Sequence, residues 1–133
     1  ATQVPLPEGA TALVYSRGSV PATTLGMLQK GMTSVTAASK TTYTAVAGDQ
    51  IVVDTVANPV TITLPSSPAV GDEVTIMDGS ASNGFATNNC IIDRGGEPIE
   101  GSAANDTLAT NNQCVTLIYS NATKGWLYKS TNQ

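Results

Sequence analysis

The chain has 133 residues, with six Lys and Arg against ten Asp and Glu, no His, and a net charge of −4. Charged residues make up 12% of it, about half the usual ~25%, and Thr, Ser, Asn, Ala and Gly take their place. The cations (Arg17, Lys30, Lys40, Arg94, Lys124 and Lys129) are scattered, so no row of phosphates is matched and nucleic acid is not an expected partner. No apolar run approaches the ~20 residues of a membrane span.

Residues 1–40 differ from the rest. Pro5 and Pro7 make VPLPEG extended and turn-like, Ala12 to Ser16 reads as one short strand, and Thr23 to Lys30 as a helical turn weakened by Gly26. The segment is too irregular to build its own core, yet it carries Val4, Leu6, Leu13, Tyr15, Leu25, Met27 and Leu28. These side chains need a partner surface. Either they pack on the same domain, or they form an arm that docks on neighbouring subunits or another protein. The arm reading sets the organisation as an attachment arm over 1–40 and a β-domain over 41–133.

From Thr41 the chain becomes regular. Thr41 to Ala47 reads as a strand. Gly48 to Asp78 then alternates β-branched and polar residues, with Val60, Ile62 and Leu64 facing one way and Val74 and Ile76 repeating the pattern. Gly48-Asp49, Asn58-Pro59, Pro65, Pro68 and Gly71-Asp72 punctuate it as turns, which predicts a three-strand antiparallel meander. Gly48-Asp49 and Gly71-Asp72 each precede a strand ending in Asp54 or Asp78. This brief similarity reads as shared turn chemistry, too short to imply a repeating coil.

Asn89 to Asp93 is the next predicted strand, and Gly95-Gly96 supplies the two positive φ angles of a type I′ hairpin. Pro98 to Gly101 is expected to return as a short edge strand. Gln113 to Ser120 and Trp126 to Tyr128 close the set, with Leu108 tucked inward. Eight to ten short strands with regular turn signals make an all-β fold, a small antiparallel sandwich or barrel.

The chemistry is sparse. Without His, no Ser-His-Asp or Cys-His arrangement forms within the chain. Cys90 and Cys114 make no CxxC pair and lack a local activating base, so zinc is not expected and the two read as free, packed thiols rather than a disulfide. Asp93, Glu97 and Glu100, or Asp72, Glu73 and Asp78, are the carboxylates to test for glycoside hydrolysis. Asp78 with Ser80, Ser82 and Asn83 is the loop to test for calcium. For all of them turn capping is the simpler reading, so no catalytic residue, metal or cofactor is expected. The amino terminus lacks a basic segment followed by an apolar core, and export is not expected.

From Tyr43 to Tyr128 the marks GDxIxVDT, PVTITLP, PxxGDxVxIxD, IDRGGEPIEG (Ile92 to Gly101) and VTLIY followed by GW occur in order. Together they resemble a small β-domain of tailed-bacteriophage virion proteins, found in head fibres, capsid decoration proteins and some tail-fibre segments. The resemblance covers about two thirds of the chain. It implies a non-enzymatic domain that assembles as a homotrimer and projects from the virion. The first expectation is therefore a capsid decoration (cement) protein on the outer surface of the head, with the major capsid protein and itself as partners. The alternative is a tail-fibre, receptor-binding or head-fibre component contacting host surface glycans. That alternative requires an exposed aromatic tip, for which Phe85 and Trp126 are the candidates, with core packing as their simpler reading.

Overall fold

The computed structural model describes residues 31–131. These form nine strands and no helix: β1 (Met32–Thr36), β2 (Thr42–Thr44), β3 (Gln50–Asp54), β4 (Val60–Thr63), β5 (Glu73–Asp78), β6 (Cys90–Asp93), β7 (Asp106–Leu108), β8 (Cys114–Asn121) and β9 (Gly125–Thr131). The all-β expectation holds. The expected helical turn and the candidate arm residues Val4, Leu6, Leu13, Tyr15, Leu25, Met27 and Leu28 lie outside the described residues.

The topology is not antiparallel throughout. A five-stranded sheet has the order β1-β3-β5-β8-β9 and a four-stranded sheet the order β2-β4-β6-β7. Strands β1 to β6 alternate between the two sheets, so same-sheet neighbours run parallel. Ile51 of β3 sits beside Ile76 of β5, and Ile62 of β4 beside Ile92 of β6. The chain thus winds as a coil of three two-strand turns, each crossover being itself a strand of the opposite sheet. Only then does it reverse: β7 pairs antiparallel with β6, β8 with β5, and β9 with β8.

This overturns the predicted meander. Its three strands do form, as β3, β4 and β5, but β4 lies in the other sheet and β3 pairs with β5 in parallel. Period-two alternation shows that one face is buried, not which way the neighbour runs. Parallel strands usually have both faces covered and read as continuous apolar runs. Here each sheet keeps one outer face, so its parallel strands alternate as antiparallel ones do.

The brief GD similarity is a structural repeat of this coil. Asp49 N–H donates to Val46 O and Asp72 N–H to Ala69 O, at 3.1 and 3.0 Å. In return Val46 N–H and Ala69 N–H donate to the Oδ2 atoms of Asp49 and Asp72, both at 2.9 Å. Gly48 and Gly71 take φ of 88° and 95°, the positive third position of a type II turn. At the far ends of the strands, Asp54 Oδ1 and Asp78 Oδ1 accept the N–H two residues on, from Val56 and Ser80. One turn-strand-cap unit is therefore used in two successive turns of the coil.

Two boundaries also differ. Met32 to Thr36, expected as arm, is edge strand β1 in register with Gln50 to Asp54. Gly95 and Gly96 have the predicted positive φ, 67° and 107°, but Pro98 to Gly101 does not return onto β6. It meets the start of β9 instead: Trp126 N–H donates to Pro98 O and Glu100 N–H to Trp126 O, both at 2.8 Å.

The core lies between the sheets. Ile51, Val53, Val74, Ile76, Val115 and Leu117 face Val60, Ile62, Leu64, Cys90, Ile92 and Leu108, all buried. Burying each large aliphatic chain contributes roughly 1.5–3 kcal/mol. Phe85, from the loop after β5, and Trp126, from β9, complete it at 0% exposure.

Candidate functional site

Of the ten carboxylates in the chain, Glu8 lies outside the described residues, and each of the other nine accepts a hydrogen bond from the chain itself. Asp49, Asp54, Asp72, Asp78, Asp93 and Glu100 accept backbone N–H groups. Glu97 accepts Tyr119 Oη–H at 2.8 Å and Glu73 pairs with Lys129 at 2.9 Å. Asp106 accepts both Thr107 N–H and Tyr128 Oη–H. The candidate acids Asp72, Glu73, Asp78, Asp93, Glu97 and Glu100 are thus held as turn and strand anchors. Asp72, Asp78 and Asp93 cap turns, while Glu73, Glu97 and Glu100 bond to groups distant in sequence.

Three of these anchors are tyrosine–carboxylate pairs that sequence reading missed. Tyr43 donates to Asp49, Tyr119 to Glu97 and Tyr128 to Asp106. The last joins β9 of one sheet to β7 of the other. Burial and the Asp106 carboxylate push the Tyr128 hydroxyl well above its usual range, and the bond to Glu97 raises Tyr119. Separations of 6 and 22 residues follow no local period, so only the folded chain reveals the pairs.

Asp78 is the most heavily used anchor. Oδ1 accepts Ser80 N–H at 3.0 Å, while Oδ2 accepts Phe85 N–H at 3.2 Å and Asn112 N–H at 3.0 Å. Burial alone would raise this carboxyl. The Ser80, Asn112 and Phe85 donors outweigh it and hold the group below its usual range. A cavity of about 150 Å³ opens beside it, lined by Ser80, Ser82, Asn83 and Asn111 among others. Asp78 is its only carboxylate, and it is already committed to N–H donors. Among the described residues no group of three or more His, Cys, Asp or Glu could hold a metal ion.

Cys90 and Cys114 are free thiols in different sheets. Burial, with a smaller contribution from the Asp78 charge, pushes Cys90 up to about 12, so it packs as a small apolar group. Phe85 and Trp126 are fully buried and form no exposed tip. Trp126 stacks edge-on against Tyr119 at 5.5 Å, and its buried indole N–H has no acceptor among the described residues.

What the fold leaves open is the first turn of its coil. β1 is the edge of one sheet and β2 the edge of the other, and no described strand pairs with either outer side. The two strands carry Thr33, Thr36, Thr42 and Thr44 and a 57% exposed Met32. Neither contains a Pro or a charged residue, the devices that normally blunt an exposed edge. This end is the candidate interaction site.

Comparison with protein-family models finds no match to the chain, and comparison with curated proteins finds none either.

Proposed function

We propose that this chain is a non-enzymatic structural protein of a tailed bacteriophage, a capsid decoration protein that binds the outside of the head and stabilises contacts between capsomers. The observation that carries the reading is the unblunted first turn of the coil. One of its edges, β1, begins at Met32, just after residues 1–30 in the sequence, a segment with four Leu, three Val and one Met. Exposed β edges accept added strands from a neighbouring chain. Residues 43–128 also resemble virion β-domains, and the low-charge Thr-rich surface suits close apposition to other subunits.

On this reading the arm docks between major capsid subunits, and the β-domains associate as a homotrimer on the capsid surface. Only the assembled lattice presents the composite site, so binding stabilises the shell by mass action. The test is co-sedimentation of the purified protein with undecorated heads, with tails and with host cells. Saturable binding to heads alone supports the reading. Binding to tails or cells replaces it with an adsorption role. Sedimentation velocity of the bound and free protein checks the trimer.

A further inference from the structure

We propose that Asn83–Gly84 is a site of spontaneous deamidation in the folded protein, and that the conversion loosens the loop that seats Phe85. Chemistry singles out this pair. The backbone nitrogen of the following residue must attack the Asn side-chain carbon, and a following Gly, lacking a Cβ, hinders that approach least. Asn83 is the one described asparagine followed by Gly, and its side chain is exposed.

Hydrogen bonding separates it from five of the others. The side chains of Asn88 and Asn89 donate to backbone carbonyls, at Thr55 and Phe85 respectively. Those of Asn105, Asn111 and Asn121 accept backbone N–H groups from Arg94, Ala86 and Thr123. Asn58 precedes Pro59, which has no N–H to lose. Among the described residues the Asn83 side-chain amide makes no hydrogen bond and the Gly84 N–H donates none. Both reacting groups are therefore uncommitted, and Asn83 already holds a positive φ of 47°.

The step balances with water as the only co-reactant. Gly84 is buried but lines the cavity beside Asp78, and base entering that cavity removes the Gly84 N–H proton. The nitrogen forms a bond to Asn83 Cγ and ammonia leaves, giving a cyclic imide. Water opens the imide at either carbonyl, yielding Asp or a β-linked isoaspartate at position 83. The β-linked product adds a methylene to the main chain beside Gly84. Gly84 is closely packed, since a Cβ on it would collide with Asp78 Oδ2 and lie 3.0 Å from Asn111 Oδ1, so a lengthened main chain displaces it against these two side chains. The adjacent Phe85 N–H to Asp78 bond is already long at 3.2 Å and is the contact that yields.

The experiment incubates the full chain, folded and in denaturant, at mildly alkaline pH, and maps the deamidation mass gain by fragmentation. The folded protein is expected to convert at Asn83 before any other described asparagine, within about tenfold of the denatured rate. An Asn83→Gln variant should stay intact in the fold. Backbone hydrogen exchange at Phe85 should speed up in the converted protein and not in the variant. An Asn83 that stays intact when folded while the denatured chain converts overturns the site. Earlier conversion at Asn105 or Asn111 also overturns it. Unchanged exchange at Phe85 after conversion overturns the loosening.

Discussion

Asp78→Ala is the perturbation that tests the fold account most sharply. The change leaves three backbone donors, Ser80, Phe85 and Asn112, without their acceptor. A hydrogen bond to a charged group is worth about 1.5–3 kcal/mol, and an ordinary one about 1. The Asn112 donor is exposed and water takes over there. The Ser80 and Phe85 donors are part-buried and recover less. The summed cost comes to about 2–4 kcal/mol. For a domain of this size each kcal/mol moves Tm by about 4–8 °C, so a drop of about 10–20 °C follows. Asp78→Asn keeps one acceptor oxygen and should lose about half as much. Because the folded carboxyl is held low, its contribution is present above the unfolded value of 3.8 and is lost as pH falls through the lower folded value. Urea titrations of wild type and variant at neutral and acid pH read both effects. The stability gap should narrow in acid. A neutral-pH difference under about 0.5 kcal/mol, typical of an idle surface residue, would refute the anchoring role.

Tyr128→Phe removes the bond between the sheets and should cost about 1–2 kcal/mol at neutral pH. Since the folded hydroxyl is raised, its contribution is present below the unfolded value of 10.0 and lost as pH rises above it, so alkaline melts of wild type and variant should converge. Gly125 has φ 70° and its missing Cβ faces the Pro98 carbonyl, so Gly125→Ala should destabilise by about 2 kcal/mol or more, read by urea midpoint. Native alkylation should label half-buried Cys114 first, leaving buried Cys90 until the chain unfolds. Equal labelling rates would contradict the packing described.

The sequence made the strands legible because burial of one face leaves a period of two: β3, β4, β5 and β8 fall where the alternation of Ile, Val and Thr puts them, and β9 where Trp126 to Tyr128 marks a closing strand. Turn chemistry was legible too, down to the positive φ at Gly95 and Gly96. Pairing direction was not, since alternation is the same for parallel and antiparallel neighbours when one face meets solvent. The one local signal for the coil was the repeated Gly-Asp before β3 and β5, each Asp closing a turn onto the residue three back. The roles of Tyr119 and Tyr128 were invisible because their partners Glu97 and Asp106 are 22 residues away and are brought close only by the strands that follow the coil. Phe85 and Trp126 take the simpler of their two readings, core packing: both are fully buried, Phe85 from the loop after β5 and Trp126 from β9.

The central proposal is that the protein attaches to a phage head and needs residues 1–30 to do so. The most direct test compares the full chain with one beginning at Gly31 in co-sedimentation with undecorated heads, after circular dichroism and urea melts establish that the shortened chain keeps its β structure. The account predicts saturable binding by the full chain and its loss in the shortened one. Undiminished binding by the folded chain from Gly31 would contradict it.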